Sequence, residues 1–189
     1  MLLSFVALAM FIVDIAVGSV NLSLDTIWGV LTGTTTQSAI RSIVIDIRLV
    51  KAIMAILAGA NSGYITQADA YKHIRKITDF LMPIPRFHGA FAHWYNGASG
   101  EVQPFIEEDN GGDIVETSFL FQGLIAAKEY FQTVGSGEAL QLVADIDKLW
   151  EEMEWSHYVR NGKLMWHWSP DYDFQMNLPI VGWNEGMIA

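Results

Sequence analysis

The sequence predicts a mainly α-helical fold in two parts, a membrane-type helical segment over residues 1–60 and a second helical domain over residues 61–189. Two observations support this division. Residues 1–60 carry three basic and three acidic side chains, whereas residues 61–189 carry eight and eighteen, so the whole net charge of −10 lies in the second part. Six of the seven tryptophans also follow residue 60. Such a change in composition is typical of two separate structural units.

The first part begins with an apolar run, Met1 to Val17, which only Ser4 and Asp14 interrupt. Its length is close to the roughly 20 residues that a transmembrane helix needs. No lysine or arginine precedes the run, which argues against a signal peptide. A buried helix of a soluble core is the alternative. A second apolar run ends at Ala60, so we expect membrane contact through residues 1–17 and, as a further candidate, through residues 43–60.

The second part alternates predicted helices with aromatic-rich loops. Thr66 and Asp69 match a variant of the capping box that begins helices. Apolar residues then recur at helical spacing as far as Leu81, and Pro83 ends the pattern. The other predicted elements are helices over residues 114–131 and 140–153, a helix that begins at Asn184, a hairpin-like excursion near residues 89–105 and a strand over residues 163–168.

Composition excludes several classes of site. An acidic chain without basic runs argues against nucleic-acid binding, which depends on lysine and arginine at phosphates. The absence of cysteine excludes disulfides, zinc–thiolate sites and thiol nucleophiles. His93, His157 and His167 lack metal-ligand spacing and are interpreted as hydrogen-bonding partners. We therefore expect no metal, no cofactor and no nucleic acid.

Carboxylates are the strongest candidates for chemistry. Asp109, Asp113 and Glu116 are spaced four and three residues apart, which would place them on one face of a continuous helix. Gly111 and Gly112 argue against a continuous helix here, so Asp113 is also interpreted as a helix cap with Glu116 as its partner. A role of Asp113 and Glu116 in capping the helix is compatible with a role in the chemistry of the site. A carboxylate at a helix start is stabilised as the anion, which suits a base or a substrate acceptor.

Glu185 has a different predicted setting, because Trp183, Met187 and Ile188 surround it in the sequence. An apolar neighbourhood favours the protonated form of a carboxyl group, as a general acid requires. The alternative is an acidic residue in the first turn of a helix with no further role.

Several tryptophans lie in predicted loops or strands, where their rings can stack on sugar faces or, alternatively, pack in the core. The candidates for substrate binding are Trp94, Trp166, Trp168 and Trp183.

Five motifs in the second part carry a resemblance to a known family: Gly63–Thr66, His93–Gly97, Gly112–Leu124, Trp166–Pro170 and Trp183–Met187. Together they resemble the bacterial glucoamylase-like family, whose characterised members include endo-β-1,2-glucanases. The resemblance implies the first third of an (α/α)6 toroid whose acidic residues and tryptophans line a central cleft. It also implies acid/base hydrolysis of a β-glucan, in the first place β-1,2-glucan, with Glu185 as general acid and Asp109, Asp113 and Glu116 as the acidic cluster. The implied mechanism is inverting, with carboxyl groups roughly 6.5–9.5 Å apart.

The first part contains four further motifs, Gly18–Val20, Leu24–Ile27, Asp46–Leu49 and Ala55–Ala60. They resemble the opening of iron-siderophore and cobalamin ABC transporter permeases. The chain is therefore interpreted as a permease N-terminus joined to a glycosidase-like fragment, located in the cell envelope, either anchored in the inner membrane or periplasmic.

Two consequences follow from this interpretation. We expect residues 61–189 to pack little against residues 1–57, and we expect the chain alone to be inactive because most of the toroid is absent. The alternative functions are a fragment of a transporter subunit and a non-catalytic carbohydrate-binding module.

Overall fold

A computed structural model describes residues 49–134 and 137–189. These residues lie in one compact unit, Arg48–Ala189. Its described α-helices are α1 (Leu49–Asn61), α2 (Gln67–Leu81), α3 (Ile114–Val134) and α4 (Gly137–Glu151). Short 3-10 helices cover Trp155–Tyr158 and Glu185–Ile188, and the two-residue strands are β1 (Gly112–Asp113), β2 (Val159–Arg160), β3 (Lys163–Leu164) and β4 (His167–Trp168).

Helix α2 begins as the sequence predicts. The hydroxyl oxygen of Thr66 accepts a hydrogen bond from the Asp69 amide at 3.0 Å, which confirms the capping motif. Ala70, Ile74 and Leu81 are buried along one face of the helix. The charged face includes Arg75, which pairs with Asp145 of α4 at 2.5 Å.

Helix α3 forms the centre of the core. It is apolar on several faces, as expected for a helix that packs against more than one neighbour. Helices α1 and α4 both contact it. The buried side chains that these three helices contribute include Ile53, Leu57, Phe121, Leu124, Phe131, Leu142, Ile146 and Leu149.

Helix α1 packs in the same core, so the expectation of little packing against residues up to 57 is wrong for this helix. Ile53 and Leu57 are 0 % and 7 % exposed, and Ala60 follows at the same helical spacing. This apolar run therefore forms a buried helix face. Within the described residues no helix combines the length and apolar character needed to cross a membrane. The predicted span over residues 1–17 lies outside the part that the structure describes.

The β structure is shorter than predicted. The excursion near residues 89–105 is a loop with isolated bridges, such as the one between Tyr95 and Val102. The predicted strand over residues 163–168 is split, because the Trp166 amide bonds to the Leu178 carbonyl at 2.8 Å between β3 and β4. The helix predicted from Asn184 is a single 3-10 turn.

Candidate functional site

Three segments that are distant in the sequence meet at the start of α3. Strand β1 pairs antiparallel with β4, which places Asp113 opposite His167 and Gly112 opposite Trp168. The Asp113 amide also donates to the carbonyl of Phe91 at 2.8 Å. This bond brings in the loop that carries His93, so the loop, β4 and the helix start form one site.

Asp113 is the centre of the site and is only 2 % exposed. Its Oδ1 accepts hydrogen bonds from the amides of Val115 and Glu116 at 2.9 and 3.0 Å, which confirms the predicted helix cap. Its Oδ2 accepts a hydrogen bond from Trp166 Nε1 at 3.2 Å. The same carboxylate therefore begins the helix and orients a tryptophan.

Asp109 is a second buried carboxylate, 3 % exposed, beside Asp113. Its Oδ2 lies 3.2 Å from His93 Nδ1, and its Oδ1 lies 3.3 Å from His167 Nε2. His93 Nδ1 is also 3.8 Å from Asp113 Oδ2. His93 thus lies between two carboxylates, and its side chain remains 28 % exposed. No local pattern in the sequence indicates that His93 and His167 lie beside Asp109.

Burial controls protonation in this cluster. It raises the pKa of Asp113 to about 7, against the opposing effects of the Glu116 amide and the His93 charge. The expectation that a helix start keeps Asp113 ionised is therefore wrong, because burial disfavours the charged form more strongly. Burial lowers the pKa of His93, but the hydrogen bond with Asp109 and the charges of the neighbouring carboxylates raise it above the ordinary value.

We expect Asp113→Asn to reduce the dependence of stability on pH. The ordinary pKa of 3.8 applies to unfolded Asp113, whereas the folded side chain holds its proton to about 7. This tighter proton binding by folded Asp113 contributes fully to the free energy of unfolding below the unfolded pKa, and the contribution is lost as the pH rises through about 7. Asparagine does not ionise, so the variant should gain stability relative to wild type between about pH 4 and pH 7. Urea denaturation across this range measures the effect. If the free energies of unfolding of wild type and variant changed in parallel with pH, the raised pKa of Asp113 would be contradicted.

Glu116 and Glu185 form the more accessible side of the site. Burial raises the pKa of Glu116, the charge of His93 lowers it, and the charges of Glu185 and Asp109 raise it, so Glu185 lies near enough to act on Glu116. Glu185 itself is exposed. The predicted apolar enclosure of Glu185 is absent, because Trp183 is 93 % exposed and Met187 is 59 % exposed. Apolar neighbours in the sequence do not cover this carboxyl group.

The four candidate tryptophans have different environments. Trp166 is half-buried and is held by Asp113, whereas Trp168 donates from Nε1 to Asp173 Oδ1 at 2.8 Å. The indole N–H of Trp94 is buried and has no acceptor among the described residues. Trp183 is open to solvent. Trp166 is thus the candidate that the acidic cluster orients directly.

Two groups contain metal-ligand types of side chain. The ligand atoms of His93, Asp109 and Asp113 lie within 4.8 Å of one another, but Asp113 accepts three hydrogen bonds from protein donors. The second group contains His88 and His157, whose rings stack in parallel with centroids 3.4 Å apart. Parallel rings do not direct their nitrogen lone pairs at one point, as a tetrahedral metal site requires. Hydrogen bonding and stacking describe both groups better than metal coordination.

The chain matches no protein-family profile. It is 46 % identical over 141 residues to the exo-β-1,2-glucooligosaccharide sophorohydrolase of Parabacteroides distasonis, a match that covers 72 % of this chain and 19 % of that protein. A solved endo-β-1,2-glucanase from Chitinophaga pinensis, in complex with sophorotriose and glucose, is 48 % identical with a TM-score of 0.68. That match covers 72 % of this chain and 32 % of the glucanase.

A solved β-1,2-glucanase from Parabacteroides distasonis is 45 % identical, with a TM-score of 0.68, over 72 % of this chain and 20 % of that protein. The chain therefore spans between a fifth and a third of the length of these relatives. The comparisons give no support to the permease resemblance of residues 1–60. What they do support is homology between most of this chain and one segment of β-1,2-glucan hydrolases.

Proposed function

We propose that this chain supplies part of the active site of a hydrolase that acts on β-1,2-glucan or its oligosaccharides. The observation that carries the proposal is the convergence of Asp109, Asp113 and Trp166 beside the interacting pair Glu116 and Glu185. Two carboxyl groups flanking a sugar, with an aromatic ring nearby, are the parts that glycoside hydrolysis needs. Similarity to enzymes of β-1,2-glucan adds the substrate class.

In the proposed reaction Glu185 protonates the glycosidic oxygen as the bond from that oxygen to the anomeric carbon breaks. A water attacks the anomeric carbon and loses a proton to a carboxylate, for which Glu116 is the accessible candidate. Glu185 is open to water without substrate, and a bound sugar together with the exposed Trp183 ring would exclude that water. Exclusion of water favours the protonated carboxyl group that a general acid requires.

Asp113 is assigned a positioning role because it is buried and already accepts three hydrogen bonds from protein donors. It fixes the indole of Trp166, whose ring can stack on a sugar face. Asp109 and His93 complete the network, and the half-buried His93 is placed to meet a sugar hydroxyl.

Sophorotriose binding tests the assignment of the site, and isothermal titration calorimetry measures it. We expect Glu116→Gln to weaken binding about tenfold, because hydrogen bonds from sugar hydroxyls to a charged acceptor are stronger than those to an amide. Glu129→Gln, an exposed position on the same helix, is the matched control and should leave the affinity unchanged. Equal effects of the two substitutions would remove Glu116 from the site.

Hydrolysis of linear β-1,2-glucan tests the chemistry. We expect the chain alone to bind sophorotriose without releasing sugar from the glucan, because it spans only between a fifth and a third of the length of its hydrolase relatives. If wild type does release sugar, Glu185→Gln should lower that rate about a hundredfold, because loss of general acid catalysis typically has that size. Cellotriose is the linkage control and should not be cleaved. Equal rates of sugar release by wild type and Glu185→Gln would contradict the role of Glu185 as general acid.

A further inference from the structure

A stacked pair of histidines lies against Trp168, outside the acidic cluster. The rings of His88 and His157 are nearly parallel, with an interplanar angle of 12° and centroids 3.4 Å apart. Both rings make edge contacts with Trp168, at centroid distances of 4.8 and 5.2 Å. Both imidazoles therefore contact the Trp168 ring.

The backbone fixes the pair from both sides. His88 has a φ of 51°, a left-handed conformation that is uncommon for residues other than glycine. Its carbonyl accepts a hydrogen bond from the Glu154 amide at 3.0 Å, and its Nδ1 lies 2.9 Å from Glu154 Oε2. Next to His157, the Tyr158 hydroxyl donates to the Phe87 carbonyl at 2.7 Å. Each histidine is thus anchored to the segment that carries the other.

We propose that His88 and His157 position Trp168 for sugar stacking, and that they do so only while at most one of the two rings is charged. This inference rests on the proposed function, since it treats Trp168 as a surface for a glucan ring. The link to the acidic cluster is direct, because Trp168 pairs with Gly112, the residue before Asp113.

Electrostatics around the pair favours one charge over two. Glu154 faces His88, while Asp173 and Arg160 act on His157 with opposite signs. Burial, followed by the charge of His88, lowers the pKa of His157. Asp173 is already shared between Trp168 Nε1 at 2.8 Å and Arg160, 4.0 Å away. A second proton on the pair would place two like charges in contact, and separation of the rings would relieve the repulsion.

Nuclear magnetic resonance tests the coupling without any ligand. Imidazole and indole resonances would be followed as the pH falls, with Trp168 assigned by Trp168→Phe. We expect the Trp168 indole N–H resonance to shift with the same midpoint as His157. His157→Phe keeps an aromatic ring that cannot be protonated, and it should abolish the shift. A Trp168 resonance that stays constant while His157 titrates would overturn the proposal.

Sophorotriose affinity across the same pH range tests the consequence. Wild-type affinity should fall about tenfold per pH unit below the His157 midpoint, because binding then requires the loss of one proton. His157→Phe should lose less affinity than wild type between pH 7.5 and acidic pH, because the protonation of carboxyl groups such as Glu116 is then the remaining cause of the loss. His73→Phe, on the exposed side of α2, is the control and should follow wild type. An acid loss of affinity as large in His157→Phe as in wild type would overturn the pair as its cause.

The two experiments separate this inference from the proposed function. If sophorotriose does not bind at any pH, the proposed function fails, and the resonance of Trp168 still decides whether the histidine pair positions the ring. Zinc chloride and EDTA should leave both titrations unchanged. A zinc-dependent change would overturn the proposal in favour of a metal centre at His88, Glu154 and His157.

Discussion

Replacement of Gly112 by alanine is expected to lower the free energy of unfolding by about 3 kcal/mol or more, the upper end of overpacking effects. A Cβ at this position would lie 2.0 Å from the Tyr158 hydroxyl and 3.1 Å from the Cβ atoms of Ala90 and Phe87. The hydroxyl has little freedom to move, because Tyr158 is fully buried and donates to the Phe87 carbonyl. Strand β1 would have to shift, and Asp113 would shift with it.

Urea denaturation measures this loss, and two further variants make it specific. Gly97→Ala is the control, since a Cβ there has nothing within 4 Å, and we expect a change within about 0.5 kcal/mol. Tyr158→Phe removes the atom that the new methyl group meets. Combined with Gly112→Ala, it should therefore cost less than the sum of the two single substitutions. Additive costs would show that the clash is elsewhere.

The second large effect is expected for Asp113→Ala, about 3 kcal/mol at pH 6. Loss of a helix cap typically costs about 1 kcal/mol, and an unpaired buried donor adds about 1–3 kcal/mol. The unpaired donor is the indole N–H of Trp166. At pH 6 wild-type Asp113 is mainly protonated, because burial raises its pKa to about 7, so the comparison excludes the burial of its charge.

Thr66→Ala provides the matched comparison for this variant. Thr66 caps α2 through the Asp69 amide, but it holds no buried partner, so its loss should cost only about 1 kcal/mol. Chemical denaturation of both variants at pH 6 gives the difference. If Asp113→Ala cost no more than Thr66→Ala, Asp113 would act as a cap alone, and its bond to Trp166 would contribute nothing to stability.

Local patterns in the sequence predicted the elements that depend on neighbouring residues. Thr66 and Asp69 begin α2 as expected, and the apolar run after Asp113 forms α3. The same local reasoning failed for the protonation of Asp113. The helix start alone would favour its anion, but segments distant in the sequence, such as the one that carries Trp166, bury the carboxyl group. The effect of burial on its pKa outweighs those of the Glu116 amide and the His93 charge.

Three other features had no local signal. Residues 52–60 have the composition of a short apolar run, which does not distinguish a membrane segment from a buried helix face. In the structure Ile53 and Leu57 belong to a buried helix face. Conversely, Glu185 has apolar neighbours in the sequence but is exposed in the fold. The left-handed backbone at His88, which allows the stack with His157, is set by contacts with Glu154 far along the chain.

The short ladder between β1 and β4 also bears on the order in which the molecule folds. The Trp166–Asp113 bond spans 53 residues, so the chain between them must close a long loop before the site exists. Helices α3 and α4 adjoin along the chain and can form earlier through nearby contacts.

The tip of the hairpin between β2 and β3, at Asn161 and Gly162, is exposed, with positive φ at both residues, and is a natural target for proteases. A single cut there would leave the helices in place while releasing the covalent tether that keeps Trp166 on Asp113.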